Sequence, residues 1–456
     1  MTSAVLISCR VFRTEIPTFD TDSLAMHNLP RVTLPSRIAS GRAGTLVPAL
    51  AVALVAVLGG AALVLDRLWV DTAHIELRTA AESAALAAAR ELASDDLLRK
   101  DPSPQSRLMK ARFAAARIAA QNFVTGDPLQ LNIEADGDVR FGKLIADHLG
   151  TTELKETADN PTTVVVHARR SSDRDTEVSL PIQSLLGPEG ANVVATSEAT
   201  IDNRVVGLRS LDGLPIPTLP LAILASRLDN NGNSKPAKVK GPRTPKEKPT
   251  TPTWQQDIDQ RHGSDRFGID SHSGEIIHEP DGIPEITLRT PASGKTAMTT
   301  NAFVVAITGD WAIDTLRRQI REGWSATDLE SHDGEIIPTN NAKHLAGLRG
   351  VDASTLGSAL RDVVGQSRVC LLYDHVEDEP RSSAVTLRIC GMIAGRVMSV
   401  RELSADECEL VFQPAVLASR SAVLAADCPT HGTDSPMKSL EGSSTNKYLY
   451  KLQLTN

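Results

Sequence analysis

One uncharged run constrains this chain more than any other feature. Residues 43–65 read AGTLVPALAVALVAVLGGAALVL, and Asp66 and Arg67 close the run. As a helix the run is about 35 Å long, enough to cross a hydrocarbon core of roughly 30 Å. It therefore predicts a transmembrane helix over 43–65. The residues expected to form the membrane anchor are Gly44, Leu46, Leu50, Leu54, Leu58 and Leu63.

The charges on either side of the run predict its orientation. Three arginines lie within about 15 residues of the membrane entry, namely Arg31, Arg37 and Arg42. The residues just after the run have no basic excess. Because Lys and Arg are enriched on the cytoplasmic side, we expect 1–42 to be a cytoplasmic tail. The bulk of the chain is then expected to lie outside the cytoplasm.

Two points about the N-terminus stay open. A cleaved signal peptide is the alternative to a retained anchor, although its apolar region is normally about 7–15 residues long. The true start is either Met1 or Met26, since the first 25 residues resemble neither a signal nor a domain.

Beyond the apolar run, an alanine-rich sequence predicts a helical stalk over 66–125. No Gly or Pro occurs between Asp66 and Pro102, so helix propensity is favourable throughout. Small residues recur at three- and four-residue steps and allow helices to approach closely. This stripe packs either on the chain's own domain or on a partner helix. Its members are Val70, Ala73, Leu77, Ala80, Ala84 and Ala88.

The rest of the chain predicts two further modules, which makes the expected fold class α+β. Short alternating segments indicate a small β-rich module over 126–228, and a mixed β/α module follows over 254–428. A basic, proline-rich linker over 229–253 separates them. Residues 429–456 are predicted to be a polar tail.

Composition excludes some classes of function. The formal net charge is −8, which argues against a general nucleic-acid binder. Aromatic residues make up 3% of the chain, too few for the stacking platforms of single-strand binders.

Four of the five cysteines fall in the part expected outside the cytoplasm. An oxidising compartment permits two disulfides among them, with three possible connectivities. Four buried thiols are the alternative. Their spacing lacks a paired Cys-x2-Cys, so no metal site is expected. The four are Cys370, Cys390, Cys408 and Cys428.

No catalytic motif is complete, and no cofactor is expected. The sequence PASGKT ends like a phosphate loop, but Arg289 stands where the first Gly is needed. The sequence VDASTL is similar to a metal-binding Asp-x-Ser-x-Ser, but Leu356 replaces its second Ser. The sequence LDNNGN begins like a calcium loop, but Ser234 replaces the required Gly.

Two pairs of polar residues are candidate sites. His272 and His332 lie in a repeated turn, S-H-x-G-E-I-I, and bind metal together only if the turns meet; exposed turn histidines are the commoner case. Asp281 and Glu285 in DGIPEITL either act as paired carboxylates or cap the entry to a strand.

The N-terminal pattern resembles a known family. Gly41-Arg42-Ala43-Gly44, the apolar span, Val64-Leu65-Asp66 and the helix from Glu76 to Ala87 resemble the N-terminal domain of TadG-like proteins of the Flp/Tad pilus-assembly system. The similarity covers about residues 41–92, and the layout of a second helix and short strands extends it less specifically to about 210.

The resemblance implies an inner-membrane envelope protein that assists assembly or anchoring of a pilus. Its implied partners are membrane lipid and other single-span subunits. Two departures limit it: the adhesion-type metal site of many relatives is broken here, and Ala49 stands where processed pilins carry Glu. We therefore expect neither cleavage by prepilin peptidase nor incorporation as a major pilus subunit. Because of the composition described above, no nucleic-acid partner is expected, and the sequence identifies no small-molecule substrate. The alternative function is a membrane-tethered enzyme or carbohydrate-binding module with its site in 254–428.

Overall fold

A computed structural model describes residues 46–146, 152–180, 182, 190–211, 213–226, 251–270, 273–293, 300–309, 311–338, 343–377, 384–425 and 445–455. The chain is α+β. It divides into two compact units, Met1–Ala61 and Ala62–Asn456. In the first unit, the described part is the beginning of one helix.

Four α-helices are present in the described residues: α1 Leu46–Leu92, α2 Pro104–Ala120, α3 Ile313–Glu322 and α4 Ala353–Arg361. Short helical turns cover Asp95–Leu98, Ser172–Arg174, Gln255–Asp259 and Thr327–His332. Helix α2 starts where the sequence provides both start signals: Ser103 accepts the N–H of Ser106 at 3.4 Å, and Pro104 occupies the first turn.

The strands of the first half are β1 Phe123–Val124, β2 Asp127–Pro128, β3 Val139–Ala146, β4 Thr152–Glu156, β5 Thr163–Arg170, β6 Val178–Ser179, β7 Gly190–Ala191, β8 Val193–Asp202, β9 Val205–Arg209 and β10 Thr218–Leu224. Those of the second half are β11 Gly268–Ile269, β12 Ile276–Ile277, β13 Ile286–Arg289, β14 Ala302–Val305, β15 Glu335–Ile336, β16 His344–Leu348, β17 Ser367–Glu377, β18 Ala384–Ser404, β19 Glu407–Pro414, β20 Leu417–Ser419, β21 Ala422–Leu424 and β22 Leu449–Leu454.

A six-stranded sheet carries helices on one face. Its strand order is β20-β22-β8-β5-β3-β4. Along β8, buried and more exposed residues alternate, with Val193, Ala195 and Ala199 turned into the core that α1 and α2 share. The period of two follows from the pleat, which sends successive side chains to opposite faces. The sheet therefore has one covered and one wet face, as antiparallel sheets commonly do.

A seven-stranded sheet forms the second core. Its order is β13-β19-β18-β16-β14-β10-β17, and an additional pairing of β17 with β18 closes a ring of five strands. The 21-residue strand β18 belongs both to the ring and to its extension through β19. Inside this core the rings of Phe303 and Tyr373 meet edge to face at 5.6 Å.

The two cores are interleaved in sequence, which corrects the module boundary expected at 228. Strand β10 lies before the linker, yet it pairs with β14 and β17 of the seven-stranded sheet. All seven of its residues are buried. The backbone N–H and C=O groups of such a buried strand need partners on both edges, and the strands after the linker supply them. The predicted linker 229–253 lies outside the described residues except for 251–253.

The C-terminus also differs from the expected polar tail over 429–456. Leu449–Leu454 form β22, which pairs with β8 on one edge and with β20 on the other. Tyr448 and Leu449 are buried. The polar composition of the segment concealed this strand, because one of its two partners, β8, lies more than 200 residues earlier in the chain.

Polar contacts join the segment after α1 to the second core. Asp95 accepts the backbone N–H of Val416 at 2.7 Å and forms an ion pair with Arg396 at 2.5 Å. Trp254, at the start of the second half, is buried and packs edge-on against Tyr448 at 5.4 Å. The residues from Ala62 onward form one compact unit.

Candidate functional site

The first part of α1 exposes large apolar side chains. Val47 is 74% exposed and Leu50 is 70% exposed. Leu54, Leu58 and Leu63 are exposed as well. Gly44 lies outside the described residues, and for Leu46 only the backbone is described. A helix of a water-soluble core would bury such residues, because each leaves about 1.5–3 kcal/mol of transfer free energy unused when exposed.

This part of α1 is long and apolar enough to cross a membrane. Its most apolar window has no buried residue, and it is the one candidate span found in the described part of the chain. Length and composition carry this assignment.

The second part of α1 is buried against the six-stranded sheet. Of the predicted stripe, Val70 is partly buried, and each of the other members has 0% exposure: Ala73, Leu77, Ala80, Ala84 and Ala88. A second row outside the predicted stripe is also fully buried, namely Ala81, Ala85 and Ala89. Together the two rows make the wider apolar face typical of a helix that packs on its own domain.

This burial decides between the two interpretations of the stripe. Val164 and Val166 of β5 belong to the same core cluster as Ala80 and Ala84. The stripe therefore packs within the chain, and it is not available to a partner helix. Alanine suits this role because its small side chain lets the helix backbone approach the sheet closely.

Asp66, which closes the apolar run, is itself buried at 4% exposure. Its carboxylate accepts the backbone N–H of Ile182 at 3.1 Å. A buried carboxylate needs such donors. The sequence suggested only a boundary charge here, because the partner lies 116 residues later.

The expected disulfides do not form among the described cysteines. Cys370, Cys390 and Cys408 have free thiols, and Cys428 lies outside the described residues. Cys370 is buried in β17, and burial raises the pKa of its thiol far above the usual range. Burial also raises the pKa of the Cys408 thiol to about 11, and its Sγ donates to the Ala353 carbonyl. These two cysteines behave as small core residues.

Glu285, the second of the paired carboxylates, organises a loop. It is buried, and it accepts the N–H of Arg266 at 2.7 Å, the N–H of Phe267 at 2.6 Å and the hydroxyl of Ser264 at 2.9 Å. Three donors satisfy the carboxylate, and they tie the loop before β11 to the residue that precedes β13. The strand-entry interpretation of this residue agrees with these contacts.

Asp281 occupies a less favourable environment. Burial raises its pKa to about 6, and the nearby carboxylate of Asp265 adds to the rise. It accepts the N–H of Ile283 at 3.0 Å and the side-chain amide of Gln413 at 3.2 Å. Asp265 in turn accepts the N–H groups of Asp281 and Gly282. Asp265 and Asp281 are thus part of a turn that leads into β13.

The remaining motifs also have local structural roles. Asp352 of VDASTL is the N-cap of α4: it accepts the N–H of Thr355 at 2.8 Å, and these hydrogen bonds lower its pKa. His332 contacts the Ile307 carbonyl at 3.2 Å, whereas His272 lies outside the described residues. Within the described ranges, no group of three potential ligands is arranged to hold a metal ion.

The described parts of the repeated turn share one backbone feature. Gly274 and Gly334 both have positive φ, at +70° and +77°, and each precedes a short strand. Glycine adopts this left-handed conformation without the Cβ clash of other residues. The two strands pair with different partners, β12 with β11 and β15 with β9, so the repeat is local.

Comparison with protein-family models, with curated proteins and with solved structures finds no match to this chain. The resemblance to TadG-like proteins therefore stays a prediction.

Enlarging the buried stripe tests the packing of α1. Ala84→Leu adds three carbons where no space exists, so we expect the free energy of unfolding to fall by about 1–3 kcal/mol. Urea denaturation of the full chain in micelles measures this. The control is Ala120→Leu, the same change at an exposed position of α2. Equal stability of the two variants would show that the stripe does not pack on the sheet.

The pKa of Asp281 predicts a pH effect on stability. Its folded pKa of about 6 lies above the unfolded value of about 3.9, so the native state holds the proton more tightly. This contribution to stability is therefore lost as the pH rises from 4 through 6. Asp281→Asn keeps an acceptor but cannot ionise. We expect its free energy of unfolding, relative to that of the unmodified chain, to be higher at pH 7 than at pH 4.

Urea titrations at pH 4, 5 and 7 measure this difference. Asp314→Asn, at an exposed position of α3 with 84% side-chain exposure, is the matched control. A stability difference between Asp281→Asn and the unmodified chain that is the same at all three pH values contradicts the prediction.

Proposed function

We propose that this chain is a non-enzymatic, single-span protein of the bacterial cell envelope, of TadG-like type, that assists assembly or anchoring of a Flp/Tad-type pilus. The observation that carries the proposal is α1, whose first part exposes a continuous apolar surface and whose second part is core. An enzyme free in solution has no use for such a surface, whereas a membrane-anchored protein requires it.

In this proposal the first part of α1 spans the inner membrane, with residues 1–42 in the cytoplasm and the bulk of the chain after Leu65 outside it. The support for the orientation is the basic excess before the span, from Arg31 to Arg42, and its absence after Asp66. Membrane lipid is then the partner of Leu50, Leu54 and Leu58.

Other single-span subunits are the proposed protein partners. Because the alanine stripe is covered by the chain's own sheet, contact with such subunits falls on other surfaces. Within the membrane, the exposed first part of α1 provides one, where helices associate by packing rather than by burial from water.

A membrane-tethered enzyme or carbohydrate-binding module remains the second candidate, and one observation favours it. A carboxyl group with a raised pKa, such as that of Asp281, is suited to general acid catalysis. Its contacts with Ile283 and Gln413 supply a structural reason for its position. For this reason we place the non-enzymatic role first.

A charge in the centre of the span tests the proposal. Leu54→Arg should cost about 2.5–3.5 kcal/mol of insertion free energy, because a guanidinium at the middle of the bilayer loses its hydration. We expect the fraction of the chain that resists carbonate extraction from membranes to fall. Ile75→Arg is the control, since Ile75 is 67% exposed on the same helix but lies beyond the apolar run. If Leu54→Arg resists extraction as the unmodified chain does, α1 is not the anchor.

A further inference from the structure

Two parallel strands separate at one edge of the six-stranded sheet and leave a groove between them. β20 pairs with β22 only from Leu449 to Lys451. Beyond this point β22 remains paired with β8. The segment that follows β20 turns at Arg420 into β21, which pairs with β9. The groove that opens between β21 and β22 has a volume of about 470 Å³.

Both walls of the groove are strand edges. Thr455 donates its backbone N–H to the backbone carbonyl of Glu198 in β8 at 3.0 Å. Because backbone groups of successive residues in an antiparallel strand point to opposite edges, those of the preceding residue, Leu454, point away from β8. On the opposite wall the backbone N–H of Arg209 donates to the backbone carbonyl of Ser421. By the same alternation, the backbone groups of Ala422 point away from β9. Among the described strands, β21 pairs with β9 alone.

Apolar and basic side chains line the groove. Leu86 of α1 contributes to the lining, together with Leu211, Leu452 and Leu454. Of these, Leu211 is 38% exposed and Leu454 is 37% exposed. Three basic residues also line it, Arg209, Arg420 and Lys451, and no carboxylate does among the described lining residues. Arg209 is held in place by Glu335 at 2.6 Å, and Arg420 is exposed.

We propose that this groove binds an extended peptide segment of another protein, in which acidic and apolar residues alternate. The backbone of the peptide adds as a strand to the edge of β22 at Leu452–Leu454, by the strand addition that exposed sheet edges support. Its alternate apolar side chains enter the groove toward Leu86 and Leu452. Its carboxylates face Arg420, Arg209 and Lys451.

Charge and shape together select this occupant. A small anion would use the basic residues but not the apolar side chains, and an apolar lipid chain would leave the strand edges without hydrogen bonds. An alternating peptide matches both, because successive side chains of a strand point to opposite sides. This site is separate from the membrane span, so its test does not depend on the proposed envelope function.

The test uses the full chain in detergent micelles and a fluorescent hexapeptide, Glu-Val-Glu-Val-Glu-Val, followed by fluorescence anisotropy. We expect saturable binding. The same peptide with Lys in place of Glu should bind at least tenfold more weakly, because its charges face basic residues. A peptide N-methylated at alternate residues should also bind at least tenfold more weakly, because it cannot donate to the edge of β22.

Variants of the chain locate the site. Arg420→Glu reverses an exposed charge of the groove, and Leu454→Glu makes its apolar wall acidic; each should weaken binding of the Glu-Val peptide at least tenfold. Arg117→Glu, the same charge reversal at an exposed position of α2 outside the groove, should leave binding unchanged. Circular dichroism confirms that each variant is folded.

Several results would overturn the proposal. Equal binding of the Lys-Val peptide, or no loss in folded Arg420→Glu, removes the charge argument. Equal binding of the N-methylated peptide removes strand addition. Displacement of the peptide by millimolar inorganic phosphate assigns the groove to small anions. A dimer of the unmodified chain that Arg420→Glu dissociates, seen by light scattering, assigns it to a second copy.

Discussion

The close packing of the alanine face of α1 on the six-stranded sheet is the interaction on which the remainder of the structure depends. Ala80, Ala84 and Ala88 have no exposed surface, and they share a core with β5 and β8. Each buried methyl group contributes only about 0.8 kcal/mol. The face as a whole nevertheless fixes the helix to the sheet, because small side chains allow the helix backbone to lie closer to the sheet than larger ones would.

The same helix has two environments, and its composition changes between them. Before Asp66 its side chains are apolar and exposed. From Ala73 onward one face of the helix is apolar and buried, and the opposite face carries charged residues. The difference comes from charge: residues such as Arg78 and Glu82, which form an ion pair at 2.9 Å, keep one face of the second part in water. A helix with one polar face and one small apolar face packs on a sheet, whereas one that is apolar all round requires lipid or a core.

Local features of the fold were predictable where neighbouring residues determine them. The apolar run, the alanine-rich helix and the glycine turns at Gly274 and Gly334 follow from spacing and backbone geometry alone. Strand β10 and strand β22 did not follow, because their partners lie far away in sequence and only the assembled sheets show them. The same limit applies to Asp66, whose donor is 116 residues distant.

The candidate sites divide in the same way. The anchor leucines could be named from the sequence, since exposure on an apolar helix needs no tertiary information. The pairing of cysteines could not, because a disulfide requires Cα atoms within about 7 Å, and spacing along the chain carries no such distance. The groove between β21 and β22 was also invisible, since it arises where two strands separate after a pairing of three residues.

Depth in the bilayer tests the central claim, that α1 is membrane span in its first part and protein core in its second. A nitroxide at position 54, 75 or 84 of the full chain in liposomes, with the native cysteines replaced, reports its exposure to oxygen and to a water-soluble nickel complex. The account predicts that oxygen dominates at position 54, that the nickel complex dominates at position 75, and that neither reaches position 84 readily. Strong relaxation by the nickel complex at position 54 would contradict it.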